Sequence, residues 1–274
     1  VRAGGTVSEV EIHQILTAAR ARQAGFLEPS FASIAGVGPN GAVVHYTATD
    51  GPDLRHCTPN MPLLLDSGGQ YACGTTDVTR TWHFGTPGAD FGAMYTRVLR
   101  GHIALDTAVW PEGTPGFVLD AFARQHLWRA GADYGHGTGH GVGAALNVHE
   151  GPMGISRKFE IQEPLKEGMV LSNEPGYYVP GEYGIRIENL VLVRRADVGT
   201  TGGKKFFKFE KLTMIPIQTK GLVNVEDLTE GELDWIDDYH REVWEKVGAR
   251  MADGTIGKEW LRRNCEKIRR THQQ

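Results

Sequence analysis

Apolar positions along the chain switch repeatedly between helical spacing and the alternation of a β-strand. Ser8 followed by Glu11 is the pattern of a helix N-terminus in which each side chain bonds the backbone N–H of the other residue. Apolar residues then recur at helical spacing, at Ile12, Ile15, Leu16 and Ala19. The pattern predicts a first helix from this cap to about Gln23.

Short apolar segments with the length of strands follow this helix. They are AVVHY at 42–46, LLLD at 63–66, VTRTWHF at 78–84, MVLS at 169–172, IRIENLVLV at 185–193 and LTMIPI at 212–217. The segment at 78–84 alternates apolar and polar side chains with a period of two, which is the period of a strand with one buried face. We therefore expect strands in both halves of the chain.

Four more helices are expected between and after these strands. They cover about 89–108, 115–131, 229–249 and 258–268. The second begins near Pro115, because proline is favoured in the first turn of a helix, and it ends at Gly131. No repeat and no cluster of glycine and proline divides the chain. The sequence therefore predicts one mixed domain over residues 1–274.

Composition and charge argue against several classes of function. The chain has 274 residues, 40% of them hydrophobic, which is enough for a sizeable core. Its formal net charge of -4 is spread over segments of mixed sign, so we expect no nucleic-acid partner. No apolar run approaches the ~20 residues of a membrane span, so we expect no membrane insertion. Three cysteines without C-x-x-C spacing predict reduced thiols and a cytoplasmic protein.

Four carboxylates stand where the predicted strands end or are interrupted. They are Asp66, Asp77, Glu174 and Glu188. The first three, taken singly, are ordinary turn or loop acids. Glu188 lies inside the apolar segment 185–193, where a buried carboxylate without a partner is costly or shifts its pKa until it is neutral. These acids therefore predict a bound cation.

Three histidines occur among glycines in HGTGHGVGAALNVH at 136–149. Glycine allows the backbone to approach a ligand closely. Two Asp, two Glu and one of these histidines form a hard, oxygen-rich set that suits a pair of divalent ions. From the residues alone, each of the other histidines is either a group of the active site or a structural imidazole.

Longer stretches place this pattern in a family. They are GPNGAVVHY, DSGGQYACGTTDVTRTWHFGTP, YGHGTGHGVGAALNVHEGP, SNEPGYY, GIRIENLVLV, LTMIPIQTK and WIDDYH. They resemble the pita-bread metallopeptidases, and among these the long eukaryotic-type aminopeptidase P, or Xaa-Pro aminopeptidase, group. The resemblance spans essentially the whole chain. It implies an α+β pita-bread (creatinase/aminopeptidase) fold, in which helices cover a curved, mostly antiparallel sheet.

The resemblance implies five ligands for two divalent metal ions: Asp66, Asp77, His140, Glu174 and Glu188. Asp77 and Glu188 would bridge the ions, Asp66 would complete one coordination shell, and His140 and Glu174 the other. The expected metal is Mn, although Zn and Co fit the same ligands. Water or hydroxide that bridges the two ions would attack the scissile carbonyl, with Glu174 as the general base.

The resemblance also gives catalytic or substrate-binding roles to four further residues. His136 would lie beside the substrate, and His149 would donate to its carbonyl or to the tetrahedral intermediate. His45 would contact the substrate or carry a proton. Arg186 would bind substrate or hold a neighbouring carboxylate. Six other histidines match no catalytic position: His13, His56, His102, His126, His240 and His272.

The implied substrate is a peptide with proline at its second position, from which the N-terminal residue is released. Residues 1–274 would be the catalytic domain and the C-terminal part of a longer chain, without the two N-terminal creatinase-like domains of such enzymes. Whether this part is active alone stays open. The resemblance also predicts a homodimer.

Two other functions share parts of this pattern. A prolidase, which cleaves Xaa-Pro dipeptides, has the same five ligands, usually with different flanks around its histidines. A peptidase-like binding module shares the fold but loses ligand positions. All five ligand types are present here, and the segment 136–149 contains no Arg or Lys to hold the free carboxylate of a dipeptide. Both observations favour the aminopeptidase.

Overall fold

Five α-helices form within the part of the chain that the computed structural model describes, residues 5–145, 147–199 and 202–268. They are α1 (Glu9–Ala21), α2 (Ala89–Asp106), α3 (Phe117–Trp128), α4 (Glu230–Val243) and α5 (Ile256–Asn264). Short 3-10 helices cover Gly38–Ala42 and Val225–Asp227, and a π-helical turn at Trp244–Gly248 continues α4. In these same ranges, no helix combines the length and the apolar composition that crossing a membrane requires.

Sixteen strands lie in the described ranges. They are β1 (Val7–Ser8), β2 (Phe26–Glu28), β3 (Ile34–Val37), β4 (His56–Cys57), β5 (Leu63–Ser67), β6 (Gln70–Tyr71), β7 (Gly74–Thr75), β8 (Val78–Trp82), β9 (Val109–Pro111), β10 (Gly139–Gly141), β11 (Glu150–Ile155), β12 (Val170–Asn173), β13 (Gly176–Val179), β14 (Tyr183–Arg186), β15 (Asn189–Arg195) and β16 (Phe206–Lys211). The pairings between them are antiparallel.

Two sheets position the candidate site. One has six strands in the order β11-β10-β12-β15-β16-β9, and the other has three in the order β3-β5-β8. The sequence predicted β5, β8 and β12 within two residues. The first helix begins at the predicted cap, where the Glu11 N–H donates to Ser8 Oγ at 3.2 Å and the Ser8 N–H donates to Glu11 Oε2 at 2.7 Å.

Two of the hydrophobic clusters pack helices against strands of the fold. The larger one joins α2, β14 and α4 through residues such as Leu99, Ile185 and Tyr239. The other packs α3 on the six-stranded sheet, with Leu119 against residues that include Leu171. Burying one such leucine side chain contributes about 1.5–3 kcal/mol. Strand β12, which leads to Glu174, is therefore backed by packed apolar side chains.

The predicted strand at 42–46 is wrong. The 3-10 helix Gly38–Ala42 ends there, and the chain continues without a strand. A Cβ added to Gly36 would lie 2.6 Å from the Cα of Gly41, so the two backbones touch where the turn folds back on β3. This close approach between glycines fixes the turn, and local β-propensity does not reveal it.

The predicted strand at 185–193 is two strands, β14 and β15, which are separated at Ile187–Glu188. The Glu188 N–H donates to the backbone oxygen of Thr79 at 3.1 Å. The guanidinium of Arg80 donates to the backbone oxygen of Glu188. Bonds to a neighbouring strand thus replace the sheet pairing at the break.

The predicted strand at 212–217 is also wrong, and the last strand of the sheet is β16, directly before it. Pro216 has no N–H to give to a ladder. Arg80 Nε donates to the Pro216 oxygen at 3.1 Å, and Arg80 Nη2 donates to the Ile215 oxygen at 2.7 Å. A buried side chain, rather than a second strand, therefore satisfies this backbone.

Candidate metal centre

The first two candidate ligands lie at the same end of two paired strands. In the β5–β8 pair, Asp66 stands opposite Thr79, and Asp77 directly precedes β8. The β6–β7 hairpin between them reverses the chain. Both carboxylates are buried. Ligand atoms of Asp66 and Asp77 lie within 4.8 Å of each other.

Two further candidates come from the neighbouring strands β10 and β12. His140 is the central residue of β10, and Glu174 follows β12. The His140 N–H donates to Ser172 Oγ at 2.9 Å, and the Ser172 hydroxyl donates to Glu174 Oε1 at 3.0 Å. The Glu174 N–H donates to the Thr138 oxygen at 2.8 Å. One serine thus ties the imidazole and the carboxylate to the same sheet.

The ligand atoms of these residues are close to one another. His140 Nε2 lies 3.4 Å from Asp77 Oδ2 and 3.3 Å from Glu174 Oε1. His140 Nδ1 donates to the Gly141 oxygen at 3.0 Å, which leaves the lone pair on Nε2 for a metal. Three overlapping groups have ligand atoms within 4.8 Å of one another: Asp66, Asp77 and Glu188; His140, Glu174 and Glu188; and Asp77, His140 and His149.

Burial and like charge make these carboxylates costly without a cation. Burial, opposed by the charge of Arg186, raises the pKa of Asp66 to about 6. Burial also raises the pKa of Glu174 to about 7. Burial and the charge of Asp77 raise the pKa of Glu188 well above its usual range.

Two carboxylate oxygens in this cluster have no hydrogen-bond partner. Within the described ranges, Asp66 Oδ1 and Asp77 Oδ1 are buried without a hydrogen bond. Burial by itself would lower the pKa of His140, but the hydrogen bond to Asp77 and the charge of Glu174 raise it to about 9. The cluster therefore attracts positive charge to its centre. Its oxygen-rich donor set and unused lone pairs fit divalent metal ions.

Arg186 supports one of the candidate ligands. Its side chain is buried, and Nη2 donates to Asp66 Oδ2 at 2.7 Å. Nε donates to Thr79 Oγ1 at 3.0 Å, and Nη1 donates to the Tyr178 hydroxyl at 2.9 Å. The guanidinium therefore holds a carboxylate of the cluster. A direct contact with substrate stays a prediction.

Sequence reasoning missed Thr79, Ser172 and Tyr178. The Thr79 hydroxyl donates to Glu188 Oε2 at 2.7 Å while it accepts from Arg186. The available signal for Thr79 was the polar face of the alternating strand 78–84. Ser172 and Tyr178 gave no such signal, because only the folded chain shows which groups their hydroxyls reach.

The remaining predicted histidines surround the candidate ligands. His136 Nδ1 donates to the Gly137 oxygen at 2.7 Å, so Nε2 accepts from the Tyr178 hydroxyl at 2.8 Å. Burial and the charge of Arg186 lower the pKa of His136 to about 4, and the ring is neutral near pH 7. The His149 ring centroid lies 4.1 Å from that of His140. Burial and the charge of His140 lower the pKa of His149.

One cavity of about 550 Å³ brings all the predicted site residues together. They are His45, Asp66, Asp77, His136, His140, His149, Glu174, Arg186 and Glu188. Apolar side chains, among them Phe31 and Val44, form part of its wall, and Lys158 also lines it. Of the six histidines without a predicted role, five are not among its lining residues. His272 lies outside the described residues.

Comparison with known sequences identifies the family. The sequence model described as "Metallopeptidase family M24" matches residues 1–195, and the one described as "C-terminal region of peptidase_M24" matches residues 205–268. The chain belongs to metallopeptidase family M24. The family match and the solved structures that this chain resembles confirm the predicted pita-bread, α+β fold.

Relatives and solved structures refine this placement within M24. Aminopeptidase P2 of Arabidopsis thaliana is 51% identical over 272 residues, which are 98% of this chain and 38% of that protein. The crystal structure of X-prolyl aminopeptidase from Caenorhabditis elegans, described as a cytosolic enzyme with a di-nuclear active site, matches with a TM-score of 0.92 and 38% identity. The match covers 98% of this chain and 43% of that one.

A prolidase matches a smaller part of the chain. Prolidase from Pyrococcus furiosus has a TM-score of 0.60 and 31% identity, over 67% of this chain and 52% of that one. This M24 chain thus spans about two fifths of the length of the Arabidopsis and C. elegans proteins.

Proposed function

We propose that this chain is the catalytic part of a dinuclear, metal-dependent aminopeptidase that releases the N-terminal residue from peptides with proline at position two. The observation that supports it is the convergence of five residues on one cavity: Asp66, Asp77, His140, Glu174 and Glu188. Their closeness in an M24 chain that is 51% identical to Aminopeptidase P2 favours metal-dependent peptide hydrolysis.

The five residues would hold two ions. Asp66 would serve one, and His140 and Glu174 the other. Asp77 and Glu188 would be shared, since each of these two lies in the close group with Asp66 and also in a close group with His140. When bound, two such ions lower the pKa of water and polarise a carbonyl. We propose Mn(II), because carboxylate-rich shells suit it, and Zn(II) or Co(II) as substitutes.

The protein groups around this centre divide the remaining work. Glu174 accepts the proton of the attacking water and delivers it to the prolyl nitrogen that leaves. His149, exposed beside His140, donates to the negative charge that develops on the carbonyl oxygen. His136, held neutral between Gly137 and Tyr178, lies beside the substrate, and His45 contacts it from the cavity wall or carries a proton.

We also propose that the two segments that the M24 models match form one catalytic domain. The larger hydrophobic cluster supports this, because it combines Leu99 and Ile185 with Trp235 and Tyr239 from the second segment. A cytoplasmic location agrees with the description of the C. elegans neighbour as cytosolic. The homodimer stays a prediction, which sedimentation of the full-length protein will check.

Prolidase activity is the alternative function. The match to the C. elegans aminopeptidase covers 98% of the chain, and the match to the P. furiosus prolidase covers 67%. This difference favours the aminopeptidase. A binding module without activity is disfavoured, because the five ligand residues are present and close together.

The test compares substrates for the full-length protein in Mn(II). We expect two ions per chain and hydrolysis of Xaa-Pro-Yaa tripeptides much faster than of Xaa-Pro dipeptides. Xaa-Ala-Yaa should be cleaved poorly, since a pocket shaped for proline uses its ring and tertiary amide. Protein stripped with a chelator is the control. Equal kcat/KM for dipeptide and tripeptide would favour the prolidase, and indifference to proline would contradict both.

A further inference from the structure

An irregular segment forms part of the wall of the catalytic cavity. Residues 44–47 line it, and among them is His45. The segment from the 3-10 helix to β4 contains no strand, and the His45 side chain is exposed. Its backbone makes a few short-range bonds, such as Tyr46 N–H to the Val43 oxygen at 3.1 Å. The precise position of this wall must therefore come from contacts with other elements.

One buried carboxylate supplies those contacts. Glu9, in the first turn of α1, is 0% exposed. Its Oε1 accepts from the Val37 N–H at 2.7 Å. Its Oε2 accepts from the Tyr46 hydroxyl at 2.8 Å and from the Arg55 N–H at 3.0 Å. The Asn40 amide also donates to both oxygens.

All four donors to Glu9 belong to one stretch of chain, 37–55. They lie at Val37, the last residue of β3, at Asn40 in the 3-10 helix, at Tyr46 in the irregular segment and at Arg55, directly before β4. The Glu9 N–H also donates to the Arg55 oxygen at 3.1 Å. The hydrogen bonds that the Glu9 carboxylate accepts are charge-assisted, and such bonds are short and strong. A single carboxylate therefore holds both ends and the middle of the segment.

We infer that Glu9 is a positioning residue for the substrate cavity, because its carboxylate fixes the segment 37–55 that presents His45. Tyr46 links the two roles, since it donates to Glu9 and also lines the cavity. The inference rests on the proposed peptidase function. Glu9 is absent from the cavity lining and from the metal cluster, so it acts only through the residues that it holds.

The test uses Glu9→Gln in the full-length enzyme. Glutamine keeps the shape but replaces an acceptor oxygen with a donor NH₂, which faces N–H and O–H donors. We expect two bound Mn(II) ions, as in the wild type, and a fall in kcat/KM for Xaa-Pro-Yaa of about tenfold or more, because small misplacements of positioning groups are costly. Amide hydrogen exchange should rise within 37–55 and stay unchanged in β10 and β12.

Glu11→Gln is the matched control. Glu11 stands two residues away in the same helix turn and is exposed, and among the described residues its carboxylate accepts from the Ser8 N–H at the cap. The Glu11→Gln variant should keep kcat/KM within twofold of the wild-type value and leave amide hydrogen exchange within 37–55 unchanged. Should Glu9→Gln fail to fold, Tyr46→Phe removes one donor, keeps the ring, and should raise exchange in the same segment.

Three outcomes are distinguishable. Raised exchange confined to 37–55 together with reduced kcat/KM supports the inference. Unchanged exchange in that segment for Glu9→Gln or Tyr46→Phe overturns it, as does raised exchange spread evenly over the protein, which indicates a general loss of stability. If the wild type does not cleave Xaa-Pro-Yaa, the proposed function fails, while hydrogen exchange still tests whether Glu9 fixes the segment.

Discussion

Glu188 illustrates how a single residue joins fold and site. It stands at the break between β14 and β15, where its N–H and its backbone oxygen are bonded to Thr79 and Arg80. Its carboxylate is buried among other acids and receives the Thr79 hydroxyl. The break that interrupts the strand thus carries the carboxylate into the cluster. A regular strand would continue its ladder at this position.

The first prediction concerns this residue. Glu188→Ala should empty both metal sites, because its carboxylate belongs to both groups that would each hold one ion. His140→Ala should weaken mainly one site. Elemental analysis after dialysis measures the bound metal, with exposed Glu226→Ala as the control. Two ions retained at wild-type affinity in Glu188→Ala would show that it does not bridge.

A second residue-scale prediction concerns His149. Its ring lies against His140, and with Asp77 and His140 it forms one of the three close groups. We expect His149→Ala to lower kcat by roughly 10² while both ions stay bound, because it removes a donor to the developing oxyanion. Stopped-flow kinetics and elemental analysis check the two parts. Loss of an ion would instead identify His149 as a ligand.

At the scale of elements, the contact between β10 and β12 places His140 beside Glu174. A Cβ built on Gly139 would lie 2.0 Å from the backbone oxygen of Ser172. Real Cβ atoms do not approach an oxygen so closely, so the two strands can meet only if residue 139 lacks a side chain. Gly139 therefore sets the spacing between these two candidate ligands.

The third prediction follows from this spacing. Gly139→Ala should push β10 away from β12, destabilise the protein by about 1–3 kcal/mol and weaken metal binding, because the added methyl overpacks the contact. Gly135→Ala is the matched control, since a Cβ there meets nothing within 4 Å. Chemical denaturation and metal titration measure both effects. Equal behaviour of the two variants would contradict the spacing argument.

Elements with a strong local signal were predictable from the sequence. The capping box at Ser8 marks the start of α1, apolar runs mark β5 and β12, and alternation with a period of two marks β8. Two of the three wrong strand predictions, at 185–193 and 212–217, depend on long-range contacts. Arg80, distant in sequence, bonds the backbone at Glu188, Ile215 and Pro216. No local pattern at 185–193 or 212–217 contains that information.

The candidate site was more predictable than the fold around it. Its ligands lie in long motifs, and all nine named residues line one cavity. The residues that hold them were not predicted. Thr79, Ser172 and Tyr178 are ordinary polar residues in the sequence. Only the fold brings them to Glu188, Glu174 and His136, respectively. The candidate ligands can therefore be found from sequence motifs, whereas the residues that hydrogen-bond to the site can be found only from the three-dimensional structure.

At the scale of the whole molecule, α4 joins the second family segment to the first. His240 on this helix is fully buried, and its Nε2 accepts from the Ile217 N–H at 3.2 Å. Burial and the charge of Arg80 lower the pKa of His240 to about 4. The folded protein therefore keeps this histidine neutral at pH values where an unfolded chain protonates it.

The fourth prediction is a pH dependence of stability. Below the usual histidine pKa of 6.5, the unfolded chain binds a proton at residue 240 that the folded chain does not, so the free energy of unfolding falls as pH drops towards 4. Between pH 7 and 5, wild type should lose about 2 kcal/mol more than His240→Gln. Urea denaturation measures this difference. His56→Gln, at an exposed histidine, should keep the wild-type slope.

The crowding of buried acids at the cavity links the amount of this protein in the cell to the supply of metal ions. If two ions relieve that repulsion as proposed, free metal acts as a stabilising ligand of the native state. At a concentration 100 times its Kd, an ion that binds only the folded chain adds about 2.7 kcal/mol of stability. Starvation for the metal would then reduce the amount of protein that survives proteolysis, and activity would recover only as fast as new chains are made.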